Sequence, residues 1–366
     1  MTEYFVGLTS LVYAAFLLWL WRGVNRLAPC APDQVAPISI IVTMRDEQKN
    51  AAACVRALLN QDYPSDRLDI VIVDDASQDA TPSILAGFKQ SQPRMKVIRQ
   101  EADIPGDSRK KQALHRAIAH CRGEILLFTD ADCLPPPTWA RSLVACFDAR
   151  TGLVAGYSPI IDPTHSWAGS ILTIDSLAAA VVAAGSIKNG SAVTCTGRNL
   201  AYRRAAYDEV DGFEAINRSV SGDDDLFLQL VHRKTDWKIN FASGAGAIVP
   251  SVQSKSLSGI FVQKRRHLSA GKFYATKVQL GYFIYHFVNI GLHLILPLTL
   301  LPGWNSALPF GALAAKYAAD YFILRTARNR LQADVSLKQF VPWELFFVLY
   351  NALIGPVSWI GKIRWK

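Results

Sequence analysis

The sequence predicts an α/β domain with a largely parallel sheet, carried between apolar helical segments near the two ends of the chain. Between residues 36 and 130, short apolar runs alternate with segments of helical periodicity, which is typical of βαβ units. Residues 4–21 and 281–324 contain apolar stretches of membrane-spanning length. We expect four regions: an N-terminal transmembrane anchor at 1–27, the α/β domain at 36–275, a transmembrane hairpin of two spans at 278–326, and an interfacial or re-entrant helix with a basic tail at 338–366.

The composition excludes several classes of protein. Half of the 366 residues are hydrophobic and 19% are charged, which fits neither a disordered chain nor a pure membrane bundle. The net charge is +9, but no arginine-rich tract or zinc-finger spacing is present, so we expect no nucleic acid partner. Basic residues near apolar spans favour a membrane surface instead. The six cysteines form no C-x-x-C pair, so we expect free thiols in a reducing compartment.

The N-terminal apolar stretch has the features of an uncleaved anchor. Arg22 and Arg26 follow residues 4–21, and aromatic residues lie at both ends of the stretch. A cleaved signal peptide would need basic residues before its apolar core and a small-residue cleavage site after it. By the positive-inside rule the domain that follows lies in the cytoplasm. We therefore expect an integral protein of the plasma (inner) membrane.

Each predicted element of the domain follows from its residue pattern. The predicted strands are short apolar runs, and the predicted helices have apolar residues at helical spacing. In chain order the strands are PISIIVT, DIVIVDD, MKVIRQ and EILLFTD, and the helices between them lie in EQKNAAACVRALLNQ, in residues 80–90 and in SRKKQALHRAIAHC. Ligands of such sheets bind beyond the carboxyl ends of the strands, where the acidic stretches VDDAS and TDADC both fall.

The rest of the chain is less periodic until the apolar pattern returns. Residues 150–250 contain a helix of small residues, SILTIDSLAAAVVAAG, and a strand near WKINFA. The stretches 281–302 and 304–324 predict an antiparallel hairpin whose basic end, from Arg325 to Arg330, lies inside the cell. The last stretch is interrupted by Gly355-Pro356. A full span there would leave its basic tail outside, so we favour an interfacial or re-entrant helix.

Two aspartates at the end of one predicted strand suggest a cation site. Asp130 and Asp132 follow the buried run EILLF, and hard carboxylate oxygens suit Mg²⁺ or Mn²⁺ bound together with substrate phosphates. Such a pair can also cap a turn. A second acidic pair, Asp74 and Asp75, ends another strand and favours the binding role, since carboxylates there can accept hydrogen bonds from a base or ribose.

Seven motifs together resemble one enzyme family. They are TMRDEQKNAAACVRALLNQDYP, VDDASQD, KKQALHRAI, GEILLFTDADC, GRNLAYRR, SGDDDLFLQL and QKRRHLSAGK. In this order and spacing they resemble the membrane-associated family-2 glycosyltransferases over residues 36–275. The resemblance implies an inverting enzyme with a GT-A-type, Rossmann-like mixed sheet. It also implies a nucleotide-sugar donor, usually a UDP-sugar, with a divalent metal under the diphosphate.

The resemblance also assigns roles to residues around the donor. It implies that Arg45 and Glu47 line the nucleotide pocket, that Asp75 contacts the base, that Asp130 lies on the sugar or ribose side and that Asp132 binds the metal. The leaving diphosphate gains charge in the transition state, and basic side chains can stabilise it. The candidates for this role are Lys111, Gln263, Arg265 and Arg266. The last three lie beside an apolar span, so plain attraction to the membrane surface is an alternative.

The acidic run SGDDDLFLQL is the predicted source of a general base. Aligning its trailing leucines with the family places the catalytic aspartate at Asp223, with Asp224 as the second choice. An acceptor hydroxyl must lose its proton as it attacks, and neighbouring carboxylates repel one another, which raises at least one pKa toward a useful value. The alternative is that these acids only complement the N-terminus of the helix that follows.

The expected product is a single-sugar adduct rather than a polymer. Processive synthases of the family carry Q-x-x-R-W, but His267 replaces the tryptophan here, and three spans are too few to enclose a polymer channel. A nucleotide site held against the bilayer predicts a lipid or lipid-linked acceptor. Three alternatives remain: a processive synthase or translocator, a non-catalytic nucleotide-sugar-binding scaffold, and a nucleotidyltransferase. The last would need a Gly-rich phosphate loop, which TMRDEQ is not.

Overall fold

A mixed sheet of seven strands forms the centre of the protein in the computed structural model, which describes residues 2–30, 35–101, 108–252, 257–299 and 307–358. The sheet order is β3-β2-β1-β4-β7-β5-β8, and β6 pairs with β9 in a separate two-stranded sheet. The strands are β1 (Ile38–Met44), β2 (Leu68–Asp75), β3 (Met95–Gln100), β4 (Ile125–Phe128), β5 (Thr151–Gly156), β6 (Ile160–Ile161), β7 (Leu200–Arg203), β8 (Lys238–Ala242) and β9 (Ser251–Val252).

Twelve α-helices are described in the parts of the chain given above. They are α1 (Thr2–Asn25), α2 (Ala51–Leu59), α3 (Thr81–Ser91), α4 (Arg109–His120), α5 (Trp139–Val144), α6 (Trp167–Lys188), α7 (Arg204–Glu209), α8 (Asp225–Lys234), α9 (Leu257–Ser269), α10 (Thr276–Leu298), α11 (Leu308–Leu331) and α12 (Phe340–Ser358). The helices predicted between the first strands are present as α2, α3 and α4, and the one after the acidic run as α8.

The four strands predicted from the alternating pattern are parallel, as βαβ units require. β1 pairs with β2 up to Met44↔Asp74 and with β4 up to Ile41↔Phe128, so the carboxyl ends of these strands lie side by side. β7 runs antiparallel to both β4 and β5, which makes the sheet mixed. The acidic stretches that follow β2 and β4 are therefore brought to one edge.

Both faces of the sheet are covered, which explains why its strands are continuous apolar runs. Ile38, Ile40 and Val42 of β1 belong to a core shared with α2, α3 and α5. The alternate residue Ile41 belongs to a second core that includes α4, α6 and α8 and continues into α1, α11 and α12. The sheet and the long apolar helices therefore share one hydrophobic core.

Helix α6 connects the domain to the long apolar helices. It packs against α1, α11 and α12 on one side and against β8 on the other. At its crossing with α1, a Cβ added to Gly23 would overlap the carbonyl oxygen of Gly185, so the two backbones are in direct contact. The sequence predicted α6 as part of the domain, whereas its position makes it equally part of the helix bundle.

Four helices are long and apolar enough to cross a membrane: Glu3–Asn25, Trp167–Lys188, Thr276–Ile295 and Phe340–Ser358. α11, the second helix of the predicted hairpin, is not among them, and residues 304–306 of that predicted span lie outside the described residues. α12 continues through Gly355 and Pro356 to Ser358 rather than breaking there. The basic tail at 362–366 also lies outside the described residues. The hairpin and the interfacial helix remain predictions.

The expectation of six free thiols is wrong for one pair. Cys30, just after α1, forms a disulfide with Cys146, which follows α5, and the bond links residues 116 apart in the sequence. The remaining four cysteines are free. No sequence motif brings Cys30 and Cys146 together, because the pairing depends on how the segment after α1 returns to the sheet.

Candidate active site

The loops after β1 and β2 are joined to each other by hydrogen bonds at the edge of the sheet. Asp46 and Ala76 both have positive φ, at 54° and 53°, so the backbone turns sharply just after β1 and just after β2. The backbone N–H of Asp46 donates to Ser77 Oγ at 3.0 Å, and the N–H of Gln78 donates to Asp46 Oδ1 at 2.8 Å. These contacts hold Arg45 and Glu47 on the wall of a large cavity.

Asp75 lies on that wall in a network of cationic and amide donors. Arg109 Nη2 donates to its Oδ1 at 2.6 Å, Gln100 Nε2 donates to the same oxygen at 2.9 Å, and Arg45 Nη1 lies 3.8 Å from Oδ2. Asp74 points elsewhere: its Oδ1 accepts the backbone N–H of Ser77 at 3.1 Å, and the side chain does not line the cavity. The structure thus places Asp75, but not Asp74, on the cavity wall.

Asp130 and Asp132 both line the cavity where β4 ends. Lys110 Nζ lies 3.1 Å from Asp130 Oδ1 and 2.9 Å from Asp223 Oδ2, so it bridges the two predicted functional carboxylates. Burial lowers the pKa of Lys110, but Asp130 and Asp223 outweigh it and raise the pKa well above its ordinary value. Burial likewise raises the pKa of Asp130, and the neighbouring Lys110 reverses this and lowers it.

The two carboxylates could hold a hard divalent cation. In the described residues no group of three His, Cys, Asp or Glu side chains is close enough to hold a metal ion by itself. Mg²⁺ usually takes one or two protein carboxylates and completes its shell with substrate phosphates and water. Asp130 and Asp132 fit this donor set, since both face the cavity in which a diphosphate would lie.

The three consecutive aspartates have different environments. Gly222, at φ +88°, turns the chain just before them. Asp223 lines the cavity, and its Oδ2 is in ionic contact with Lys110 Nζ at 2.9 Å. Asp224 caps α8: its Oδ1 accepts the N–H of Asp225 and its Oδ2 accepts the N–H of Gly197, both at 2.8 Å. Asp225 accepts the hydroxyl hydrogen of Tyr274.

Burial perturbs the last two of these acids. It raises the pKa of Asp224, with the charge of Asp223 adding to the effect. Burial and the charge of Asp224 raise the pKa of Asp225 well above its ordinary value, although the Tyr274 hydrogen bond acts in the opposite direction. The acidic run is thus an electrostatically strained group beside the cavity rather than a solvated helix end.

Lys111 is not part of the cavity wall, contrary to the prediction. Its Nζ donates to the carbonyl oxygens of Ile216, Ser219 and Ser221 at 2.8, 2.7 and 2.9 Å, so it holds the loop that leads into the acidic run. Burial lowers its pKa to about 8. The lysine that faces the predicted functional acids is the preceding one, Lys110.

Basic and amide side chains from two other segments also reach the cavity. Gln263 and Arg266 of α9 line it, whereas Arg265 does not. Arg198, which precedes β7, lines it as well, and its Nη1 is buried with no hydrogen-bond partner in the described part of the chain. Arg198 and Arg266 both lower the pKa of Asp130, which places them at the same end of the cavity. A buried donor without a partner is costly, so Arg198 is suited to an anionic ligand.

The cavity is large and has two chemically different ends. Its volume is about 1980 Å³. Acids and cations from the ends of β1, β2 and β4, from the acidic run and from α9 line one part of it, and apolar side chains of α1, α6, α10 and α12 line the other, which also includes Asp175 and Lys277. Sequence reasoning missed Lys110, Arg198 and these helices as parts of the site. Lys110 belongs to the motif KKQALHRAI and Arg198 to GRNLAYRR, but a motif does not show which of its residues faces a ligand.

Comparison with known proteins indicates a family for the sheet domain. The sequence model of Glycosyl transferase family 2 matches residues 39–211. The beta-monoglucosyldiacylglycerol synthase of Synechocystis sp. is 30% identical over 158 residues, which are 38% of this chain and 33% of that protein. The probable glycosyltransferase YdaM of Bacillus subtilis is 24% identical over 200 residues, which are 54% of this chain and 47% of that protein. The matched segments thus cover less than half of either relative.

A solved structure confirms the fold. The mannosyltransferase PcManGT from Pyrobaculum calidifontis, in complex with GDP-Man and Mn²⁺, matches with a TM-score of 0.55 at 20% identity. The match covers 98% of this chain and 95% of that one, so the likeness extends through the long helices. At this identity the comparison supports the fold alone. Together, the family match over residues 39–211, the curated relatives and the fold support a family-2 glycosyltransferase with a GT-A fold.

Proposed function

We propose that this protein transfers a single sugar, with inversion, from a nucleotide-sugar to a hydroxyl of a lipid or lipid-linked acceptor at the membrane surface. The supporting observation is one cavity that has carboxylates and arginines at one end and apolar helices at the other. A nucleotide-sugar needs the first environment and a lipid needs the second. The activity for which the Synechocystis relative is named, glucosyldiacylglycerol synthesis, supports a lipid acceptor as well.

The donor is proposed to be a UDP-sugar held at the polar end. Arg45, Glu47 and Asp75 surround the proposed nucleotide pocket, and Arg198 and Arg266 supply positive charge near Asp130 for the diphosphate. Asp130 and Asp132 would hold Mg²⁺ or Mn²⁺, which when bound neutralises charge on the leaving diphosphate.

Asp223 is the proposed general base. Both oxygens of Asp224 accept backbone N–H groups, which suits a cap more than proton transfer. Asp223 instead reaches the cavity, where Lys110 holds its carboxylate. A hydroxyl proton must be removed as the hydroxyl attacks, and a positioned carboxylate typically accelerates such a step by about 10²–10⁴-fold.

The proposed location is the plasma (inner) membrane with the sheet domain in the cytoplasm. Arg22 and Arg26 near the end of α1 support this orientation, as do Arg328 and Arg330 at the end of α11. Cytoplasmic nucleotide-sugars would then reach the polar end of the cavity directly.

Transfer of radiolabelled sugar tests the proposal. Membranes containing the protein are incubated with labelled UDP-sugars and Mg²⁺ or Mn²⁺, and the organic-extractable product is counted and sized. We expect a single-sugar lipid product that is lost with Asp223→Asn and Asp132→Ala and retained with Asp236→Asn, an exposed acid outside the site. Full activity of both site variants would refute the proposal, and a high-molecular-weight product would favour the processive alternative.

A further inference from the structure

The apolar part of the cavity is a groove lined by α1, α6, α10 and α12, and the acidic run 223–225 lines the same cavity. We define the acceptor groove by six of its lining residues: Trp19, Val182, Tyr282, Ile290, Phe347 and Gly355. Along α10 the cavity wall extends from Thr276 to Leu294, which is about 27 Å at 1.5 Å per residue. The hydrocarbon core of a bilayer is about 30 Å thick, so one leaflet contributes about 15 Å. The groove is longer than this and can therefore hold a full lipid chain.

From this groove and the charges of the acidic run, we infer that the acceptor is an uncharged lipid alcohol whose chain lies between α10 and α12 with its hydroxyl at Asp223. This inference rests on the proposed function, since it names the class of acceptor for the same site. It excludes a lipid phosphate as the attacking group.

Three lysines of the described residues line the cavity: Lys110 is bound to Asp130 and Asp223, Lys264 is paired with Asp175, and Lys277 is exposed in the first turn of α10. Lys264 of α9 is paired with the carboxylate of Asp175 on α6, and its Nζ lies 4.8 Å from the centre of the Tyr350 ring on α12. Trp343 and Tyr350 also direct N–H and O–H groups toward Asp175 Oδ1, at 3.5 and 3.4 Å. A buried charge with a matched partner has little left to offer a phosphate.

The end of the groove next to the acidic run disfavours the binding of an anion. Asp223, Asp224 and Asp225 all line the cavity there, together with the Tyr274 hydroxyl. The cavity arginines Arg198 and Arg266 act on Asp130, at the donor end. A lipid phosphate, with a second pKa of about 6, is already ionised at neutral pH and needs no general base. A hydroxyl does need one, and three adjacent carboxylates favour the uncharged acceptor over the charged one.

Two glycines provide a way to fill the groove without disturbing the packing. Gly281 of α10 and Gly355 of α12 line the cavity, and a Cβ at either position would meet no atom within 4 Å. Gly311 of α11 has the same open surroundings but does not line the cavity. Gly281→Leu should therefore fill the groove, and Gly311→Leu is a matched control that adds the same side chain elsewhere in the bundle.

Photo-crosslinking tests the inference without requiring turnover. The full-length protein in detergent is labelled with a diacylglycerol that has a diazirine on its acyl chain, and modified peptides of α10 and α12 are quantified by mass spectrometry. Excess unlabelled diacylglycerol separates saturable groove binding from general labelling of the outer helix surface. We expect competed labelling in the wild type and Gly311→Leu, at least a fivefold loss in Gly281→Leu, and at least tenfold weaker competition by phosphatidic acid with the same chains.

The outcomes separate this inference from the proposed function. Equal competed labelling in Gly281→Leu and wild type, labelling that no lipid competes, or phosphatidic acid competing as well as diacylglycerol would each overturn the inference. UDP binding, measured by calorimetry on the same samples, should be unchanged in both glycine variants. If the wild type fails to bind a nucleotide or nucleotide-sugar while competed labelling persists, the proposed function fails and the lipid groove stands.

Discussion

Replacing Lys110 with methionine removes the ammonium that bridges Asp130 and Asp223 at 3.1 and 2.9 Å. Removing one partner of a buried ion pair costs about 3–5 kcal/mol, because the remaining charges stay buried without compensation. The Lys110 and Asp223 side chains are 15% and 10% exposed, but Asp130 retains 34%, so solvent screens part of the effect. We therefore expect a loss at the low end of that range, about 3 kcal/mol.

Thermal unfolding in detergent at pH 7 measures this loss. For a domain of roughly 150–250 residues, about 3 kcal/mol corresponds to a decrease in Tm of about 6–12 °C. Mn²⁺ should recover part of the decrease in Lys110→Met and raise its Tm more than that of the wild type, because a cation replaces the missing positive charge. Lys110→Arg should retain most of the stability, and Lys89→Met, which removes an exposed lysine of α3, should change Tm by less than 2 °C.

The pH dependence supplies a second check with a definite sign. Lys110 lowers the pKa of Asp130 in the folded state, so the pair contributes stability above the unfolded pKa of about 3.9 and loses it as pH falls through the lower folded value. The difference between wild type and Lys110→Met should therefore be full at pH 7 and shrink below about pH 4. Equal melting of the two proteins at pH 7, or a difference that persists unchanged at pH 3, would refute the ionic bridge.

Three further predictions concern neighbouring residues. Asp223→Asn should lower the transfer rate by about 10²–10⁴-fold and, because Lys110 keeps its pair with Asp130, should lower Tm by less than Lys110→Met does. Asp224→Ala should destabilise the protein by about 1 kcal/mol through loss of the α8 cap, and rates and melts of both variants separate these roles. Lys111→Met should lower the free energy of unfolding by about 3 kcal/mol, because three carbonyls lose their donor. The loss of stability relative to wild type should grow between about pH 8 and 10.4, where unfolded Lys111 binds the proton that the folded residue has released. Thermal melts across that pH range check the sign. Arg198→Gln should weaken UDP binding about tenfold or more and leave UMP binding nearly unchanged in calorimetry; equal loss for both ligands would contradict a diphosphate contact.

The strands and helices around the sheet edge could be predicted because their periodicities are strong and local. Apolar runs ending in VDDAS and TDADC identified β2 and β4, and parallel pairing then brought Asp75 and Asp130 to one edge. The orientation of the side chains could not be predicted in the same way. Lys110 and Lys111 both lie beside the apolar face of α4, which buries Ala113 and Leu114. Which lysine faces the acids depends on how α4 is rotated against the sheet, and its own sequence does not determine that rotation.

Features that depend on distant segments were missed for the same reason. The Cys30–Cys146 bond requires the segment after α1 to return to the sheet domain, and no local pattern encodes that path. The charges of α11 were read as part of an apolar span. In the structure Lys316 Nζ donates to Asp320 of the same helix at 2.8 Å and to Glu344 of α12 at 2.7 Å, so the charges of α11 are paired with each other and with α12. Pairing across helices depends on tertiary packing, which hydropathy does not measure.

The contacts of α6 imply that the long helices help to shape the cavity. Its backbone touches α1 at Gly23 and Gly185, and its Asp175 holds Lys264 on α9, the helix that brings Gln263 and Arg266 to the cavity. A shift of the bundle relative to the sheet would therefore move a wall of the donor pocket along with the acceptor groove. The proposed transfer requires the hydroxyl and the sugar to meet within a few tenths of an ångström of the productive geometry. A bundle that shares its core with the sheet would hold both proposed substrates in one frame.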